Sequence, residues 1–251
     1  MKPFLVLQLR NNDQASDNEF EAILRFGQLS PDEVHRIRME QSGIPLLSLG
    51  DYAGVIVGGG ASNVSDGEKD KPSSQKRFEK DLDGLLDEIV EHDIPYLGAC
   101  YGFGALAQHQ NGIVAKGKYA ESVGAVTITL SENAKSDPIT KTLPKQFKAF
   151  VGHKEACQKL PKHAVLLASS EDCPYQMFRM KSNIYATQFH PELDTDGLIL
   201  RINIYQNDGY FPADELESLS QKLRQEDVRV PPKILQNFVN RYRYDARPTN
   251  M

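Results

Sequence analysis

The sequence predicts an α/β fold, a three-layer sandwich with a mostly parallel central sheet, followed by a helical C-terminal extension. Three observations carry this. Short apolar runs alternate with segments of helical period as far as Gly112. A succession of strand-like runs then fills the middle of the chain. Beyond Glu192 only helical patterns remain. Alternation of the first kind implies parallel strands with helices on both faces, a flavodoxin-like layout.

The elements follow in order. "FLVLQL" (Phe4 to Leu9) is a continuous apolar run, the pattern of a central strand. "DNEFEAILRFGQL" reads as a helix with Asp17 as N-cap. "SPDEVHRIRME" reads as another, with Ser30 as N-cap, Pro31 at the first helical position and acids in the first turn. "YAGVIVGGG" is a strand ending at a glycine cluster. In the next helix Phe78, Leu82, Leu85, Leu86 and Ile89 share one face. "IPYLGAC" is a strand, and "GFGALAQHQNG" a helix closed by Gly112. "VGAVTITL", "FKAFVGH", "AVLLASS", "YQMFRM" and "SNIYATQFH" are strands that add an antiparallel portion to the sheet. Helices follow from Asp194 to near Gly209, across "ADELESLSQKLRQE" and across "PPKILQNFVNRYRYDAR". Leu216, Leu219 and Leu223 have docking periodicity, expected to pack on the chain's own core.

The 251 residues, 40% hydrophobic, suffice for one core with an appendage. The expected division is a domain over 1–195 and an extension over 196–251. A net charge of −5 without a Lys/Arg block argues against nucleic acid as partner. The N-terminal apolar run is shorter than the roughly 20 residues of a membrane span and lacks a cleavage signal. The expectation is a cytoplasmic protein with no membrane association. Three cysteines (Cys100, Cys157 and Cys173), without C-x-x-C or histidines at zinc spacing, indicate neither a disulfide framework nor a metal site. No cofactor motif is present.

Three stretches carry chemistry. In "YLGACYGFG", Cys100 stands between a strand and a helix, flanked by Gly98, Ala99, Gly102 and Gly104. A sharp strand-to-helix turn needs such small neighbours, and a helix N-terminus favours the thiolate. Taken alone, the stretch also fits a buried structural cysteine. "QFHPE" places His190 and Glu192 two residues apart, on one side of an extended backbone. The carboxylate can orient the imidazole, leaving its other nitrogen for Cys100; a surface turn fits the same residues. "VIVGGGASNVSD" satisfies neither the dinucleotide-binding nor the P-loop pattern. It fits a strand exit, or a loop presenting N–H groups to an oxyanion.

Together, in this order, the three stretches resemble the class I (triad) glutamine amidotransferases over roughly residues 1 to 195. "YLGACYGFG" looks like that family's nucleophile motif and "QFHPE" like its His-Pro-Glu motif. "VGGGASNVSD" and "FVGHKE" are similar to segments of the branch that includes GMP synthetase. The resemblance implies hydrolysis of the glutamine side-chain amide through a thioester on Cys100. His190 would be base and then acid, Glu192 its orienter, and the N–H groups of Gly59 and Tyr101 the oxyanion hole. The implied substrate-contacting positions are Gly60, Gly104 and His153, the last equally readable as a core or surface histidine. Gly104 departs from the family, which has a substrate-holding Gln there. No ATP-pyrophosphatase motif follows Glu192. Three readings therefore stand: a glutaminase feeding a separate ammonia-acceptor enzyme, a hydrolase or transferase of other γ-glutamyl amides, and a catalytically weak regulatory module.

Overall fold

The computed structural model describes residues 1–205 and 216–244. One nine-stranded sheet organises the chain. Its strands are β1 (Phe4–Gln8), β2 (Val34–Arg38), β3 (Gly54–Val57), β4 (Tyr96–Ala99), β5 (Ile113–Leu130), β6 (Gln146–Lys159), β7 (Val165–Ser169), β8 (Met177–Met180) and β9 (Ile184–Thr187). They lie in the order β2-β1-β3-β4-β9-β8-β7-β5-β6. The first five are mutually parallel, and the remaining pairings are antiparallel. The central parallel strands are the apolar runs read from the sequence. They are buried on both faces, as parallel strands covered by helices must be.

The helices are α1 (Asp13–Gly27), α2 (Met39–Ser42), α3 (Ser73–His92), α4 (Tyr101–His109), α5 (Thr195–Ile204), α6 (Leu216–Leu223) and α7 (Pro232–Tyr242). Alternate residues of β1 face opposite layers. Leu5 and Leu7 pack with Phe78, Leu82 and Leu86 of α3 and Leu106 of α4. Phe4 and Val6 pack with Ile23 of α1 and with Ile234, Leu235 and Phe238 of α7. The C-terminal helices thus cover the core. Leu223 joins Phe150, Leu193, Leu198 and Ile202, with Leu216 and Leu219 against them. The predicted end of the preceding helix near Gly209 lies outside the described residues. Among the described residues, no helix is long and apolar enough to cross a membrane.

Two local readings are corrected. "SPDEVHRIRME" is not a helix: its start signal yields one 3₁₀ turn over Pro31–Glu33, and the chain then enters β2. Register with β1 overrides the signal, because as an edge strand β2 buries Ile37 and spends its charges on neighbours. Arg36 donates to Gln8 (2.6 Å), and Arg38 to Glu40 (2.8 Å). In α1 the cap is Asn12, whose side chain accepts from Ala15 N at 3.0 Å, whereas Asp17 pairs with Arg36.

Candidate active site

Three neighbouring parallel strands, β3, β4 and β9, deliver the three singled-out stretches to one edge of the sheet, beyond their carboxyl ends. In an open α/β sheet this is where ligands gather. Cys100 follows β4 directly and caps α4. Its backbone has φ 51° and ψ −92°, a region costly for a residue with a Cβ. Neighbours hold it there: Cys100 N donates to Thr187 O of β9 (2.8 Å), and Gly104 N to Cys100 O (3.1 Å). Glycine is required at the bend, since a Cβ on Gly98 would lie 2.6 Å from the Gly102 carbonyl group.

His190 and Glu192 lie just beyond β9, and both are buried. Nδ1 of His190 bonds Glu192 Oε1 at 2.8 Å, and His190 and Cys100 line the same cavity. Burial disfavours the imidazolium, but the Glu192 carboxylate and the neighbouring Cys100 outweigh it, and the His190 pKa is pushed up to about 9. Burial likewise opposes the Glu192 charge, yet His190, Arg201 and Arg10 hold that carboxyl well below the ordinary carboxylate range. His190 therefore carries its proton at neutral pH, beside Cys100. Gly59 lies directly against the pair: a Cβ there would stand 2.6 Å from His190 Cε1 and 3.2 Å from Cys100 Cβ. Tyr101 is the first residue of α4, where backbone N–H groups lack intrahelical partners.

Gly60 borders the cavities on both sides of Cys100. Gly104 faces Val64 and Glu155, whose nearest atoms would lie 3.1 and 3.5 Å from an added Cβ. The Glu155 carboxylate accepts from Val64 N, Ser65 N and Ser65 Oγ at 2.6–2.9 Å, tying the loop after β3 into the place where a longer side chain would stand. His153 borders the cavity beside Gly104, but both its ring nitrogens are engaged elsewhere. Nδ1 bonds Glu155 O and Nε2 bonds Glu121 Oε2, each at 2.8 Å. Glu121, His153 and Cys173 bring potential metal-ligating atoms within 4.8 Å of one another. His153 bonds Glu121 directly, Ser170 Oγ and Gln176 Nε2 donate to Glu121, and Cys173 Sγ bonds Tyr175 O instead, which accounts for the cluster as a polar network. Burial pushes the Cys157 and Cys173 thiols up to about 11 and about 12, leaving both as inert neutral thiols.

One feature was not legible in the motifs. Arg201 of α5 donates from Nη1 to Glu192 Oε1 at 3.0 Å, on the same oxygen that His190 uses. Beneath it Arg10 pairs with Glu19 (2.8 Å), which also accepts from Gln8. A lone arginine inside the apolar run "LILRINI" was its only sequence signal.

The family model for class I glutamine amidotransferases matches residues 30–197. The chain belongs to this family. Among curated relatives, the amidotransferase is 36% identical over 142 residues to a GMP synthase (glutamine-hydrolysing) of Thermosipho africanus, covering 56% of this chain and 24% of that protein. It is 34% identical over 142 residues to one subunit of the glutamine-hydrolysing GMP synthase of Thermoplasma volcanium, covering 56% of this chain and 63% of that relative. The match thus spans about a quarter of the first relative and under two-thirds of the second. The crystal structure of a glutamine amidotransferase from Thermotoga maritima shares the fold, with a TM-score of 0.75, 22% identity, and coverage of 96% of this chain and 98% of that one.

Proposed function

We propose that the protein hydrolyses the side-chain amide of glutamine through a thioester on Cys100 and releases ammonia to a separate acceptor enzyme. The observation that carries this reading is the adjacency of Cys100 to His190, which is itself bonded to Glu192, with Cys100 in a strained bend at a helix N-terminus. The Cys100 thiolate adds to the amide carbon. His190 protonates the departing nitrogen and then takes a proton from the water that hydrolyses the thioester. Glu192 orients the imidazole. The N–H groups of Gly59 and Tyr101 receive the oxyanion, a donor of this kind contributing about 2.7–4 kcal/mol. The separate acceptor is suggested by relatives that are named as single subunits of a GMP synthase. In this reading residues 1–195 form the catalytic unit and residues 196–251 the extension, which includes the arginine behind Glu192.

Ammonia release from glutamine tests the reading. Cys100→Ala is expected to abolish it, while Cys157→Ala and Cys173→Ala retain it. Retained turnover in Cys100→Ala would remove Cys100 from the mechanism.

A further inference from the structure

Tyr101 follows the nucleophile in sequence, and its backbone N–H is one of the two donors proposed for the oxyanion. Its side chain is buried, edge-on to Phe78 of α3 with ring centroids 5.8 Å apart. The hydroxyl donates to Glu79 Oε1, also on α3, at 2.7 Å. Burial and the Glu79 carboxylate hold the tyrosine hydroxyl far above its ordinary pKa, so it remains a donor.

Gly59, the other proposed donor, opens the loop that joins β3 to α3. The same carboxylate ties this loop at two further points. Gln75 Nε2 bridges Asn63 O and Glu79 Oε1, at 2.9 Å each. Lys71 Nζ donates to Glu79 Oε2 at 2.7 Å, and the lysine side chain is only 7% exposed. Three donors thus converge on one side chain: one from the residue after the nucleophile, one from the end of the glycine loop and one from α3. An ion pair on the flank of α3 would account for Lys71 alone. It requires neither the buried tyrosine hydroxyl nor an amide turned back to Asn63. Ordering these groups together carries an entropic cost, which charge-assisted hydrogen bonds offset.

We propose that Glu79 is a positioning residue. By fixing the Tyr101 ring and the Asn63–Lys71 stretch against each other, it keeps the N–H groups of Tyr101 and Gly59 aimed at one point. The proposal rests on the thioester chemistry at Cys100. Glu79 borders neither cavity at Cys100, so its effect passes through Tyr101 and the loop. Aim matters because an oxyanion donor acts on charge that develops only in the transition state. Loss of aim therefore lowers kcat and leaves ground-state binding in place.

The test measures glutamate release from glutamine by wild type, Tyr101→Phe, Glu79→Leu and the double variant, with Tm recorded for each. Tyr101→Phe removes one oxygen atom and keeps the ring, so it tests the link even where Glu79→Leu fails to fold. Each single variant is expected to lose at least about tenfold in kcat, the effect of one hydrogen bond to a charged group, with KM within about twofold of wild type. The double variant should fall no more than about twofold below the poorer single, because both changes remove one link. Alkylation of Cys100 by iodoacetamide, a displacement that forms no oxyanion, should keep its wild-type rate within about twofold. Tyr101→Phe turnover within about threefold of wild type, losses that multiply in the double variant, or alkylation that falls in step with turnover would overturn the role of Glu79 and leave the Cys100 chemistry standing. A wild-type protein that releases no glutamate from glutamine would overturn the underlying reading instead.

Discussion

Replacing Gly59 by alanine places a methyl group 2.6 Å from His190 Cε1 and 3.2 Å from Cys100 Cβ. Carbon atoms rest about 3.5–4.0 Å apart, so the imidazole must retreat by about 1 Å. The ring is fixed on its other side by the 2.8 Å bond to Glu192, itself held by Arg201. Retreat therefore misaligns the ring relative to both Cys100 and the leaving group. A displacement of about 1 Å in a catalytic group costs on the order of a hundredfold in rate, or about 2.7 kcal/mol in the barrier. The assay is kcat for glutamate release, with Tm recorded on the same samples. Gly84→Ala is the matched control: it lies exposed in α3, with nothing within 4 Å of the added methyl. Its rate should equal wild type, and stability should rise by about 0.5–1 kcal/mol. A Gly59→Ala protein with wild-type Tm and kcat within threefold of wild type would refute the proposed packing of the site.

Further outcomes are expected. Arg201→Met leaves Glu192 buried with one partner fewer, which should cost roughly 3–5 kcal/mol of stability and lower kcat more than Arg201→Lys; urea titration and rate measurements that do not separate the two variants would argue against Arg201 as the anchor of Glu192. His190 has a folded-state pKa of about 9 against 6.5 in the ordinary state. Its contribution to stability is therefore complete below about 6.5 and is lost as pH rises through about 9. His190→Gln should flatten the fall in urea midpoint across that window, and equal slopes in the two proteins would contradict the assignment. Gly104→Gln should fail to raise glutamine turnover, because Val64 and Glu155 already occupy the space beside it; an increase would show that the cavity can reopen.

Much of this was legible in the sequence because the signals were local. Continuous apolar runs marked β1, β3 and β4, and glycines around Cys100 marked a bend that only small residues permit. The two-residue spacing of His190 and Glu192 placed both side chains on one side of the chain. The reading failed where distant partners overrule local preference. The capped start at Ser30 and Pro31 is a valid helix signal, realised as a single turn before pairing with β1 takes over. Arg201 was invisible for the same reason. Its role depends on α5 folding back behind β9 to meet Glu192, a contact that periodicity does not encode. At Gly104 the sequence showed a missing side chain but not the replacement, since Glu155 reaches that position from β6.

The central claim is that Cys100 attacks a γ-glutamyl carbonyl. Its most direct test is the mass of the protein after treatment with a diazoketone analogue of glutamine, followed by peptide mapping. A single adduct on Cys100, prevented by excess glutamine, is predicted. An unmodified Cys100, or label on Cys157 or Cys173 instead, would contradict it.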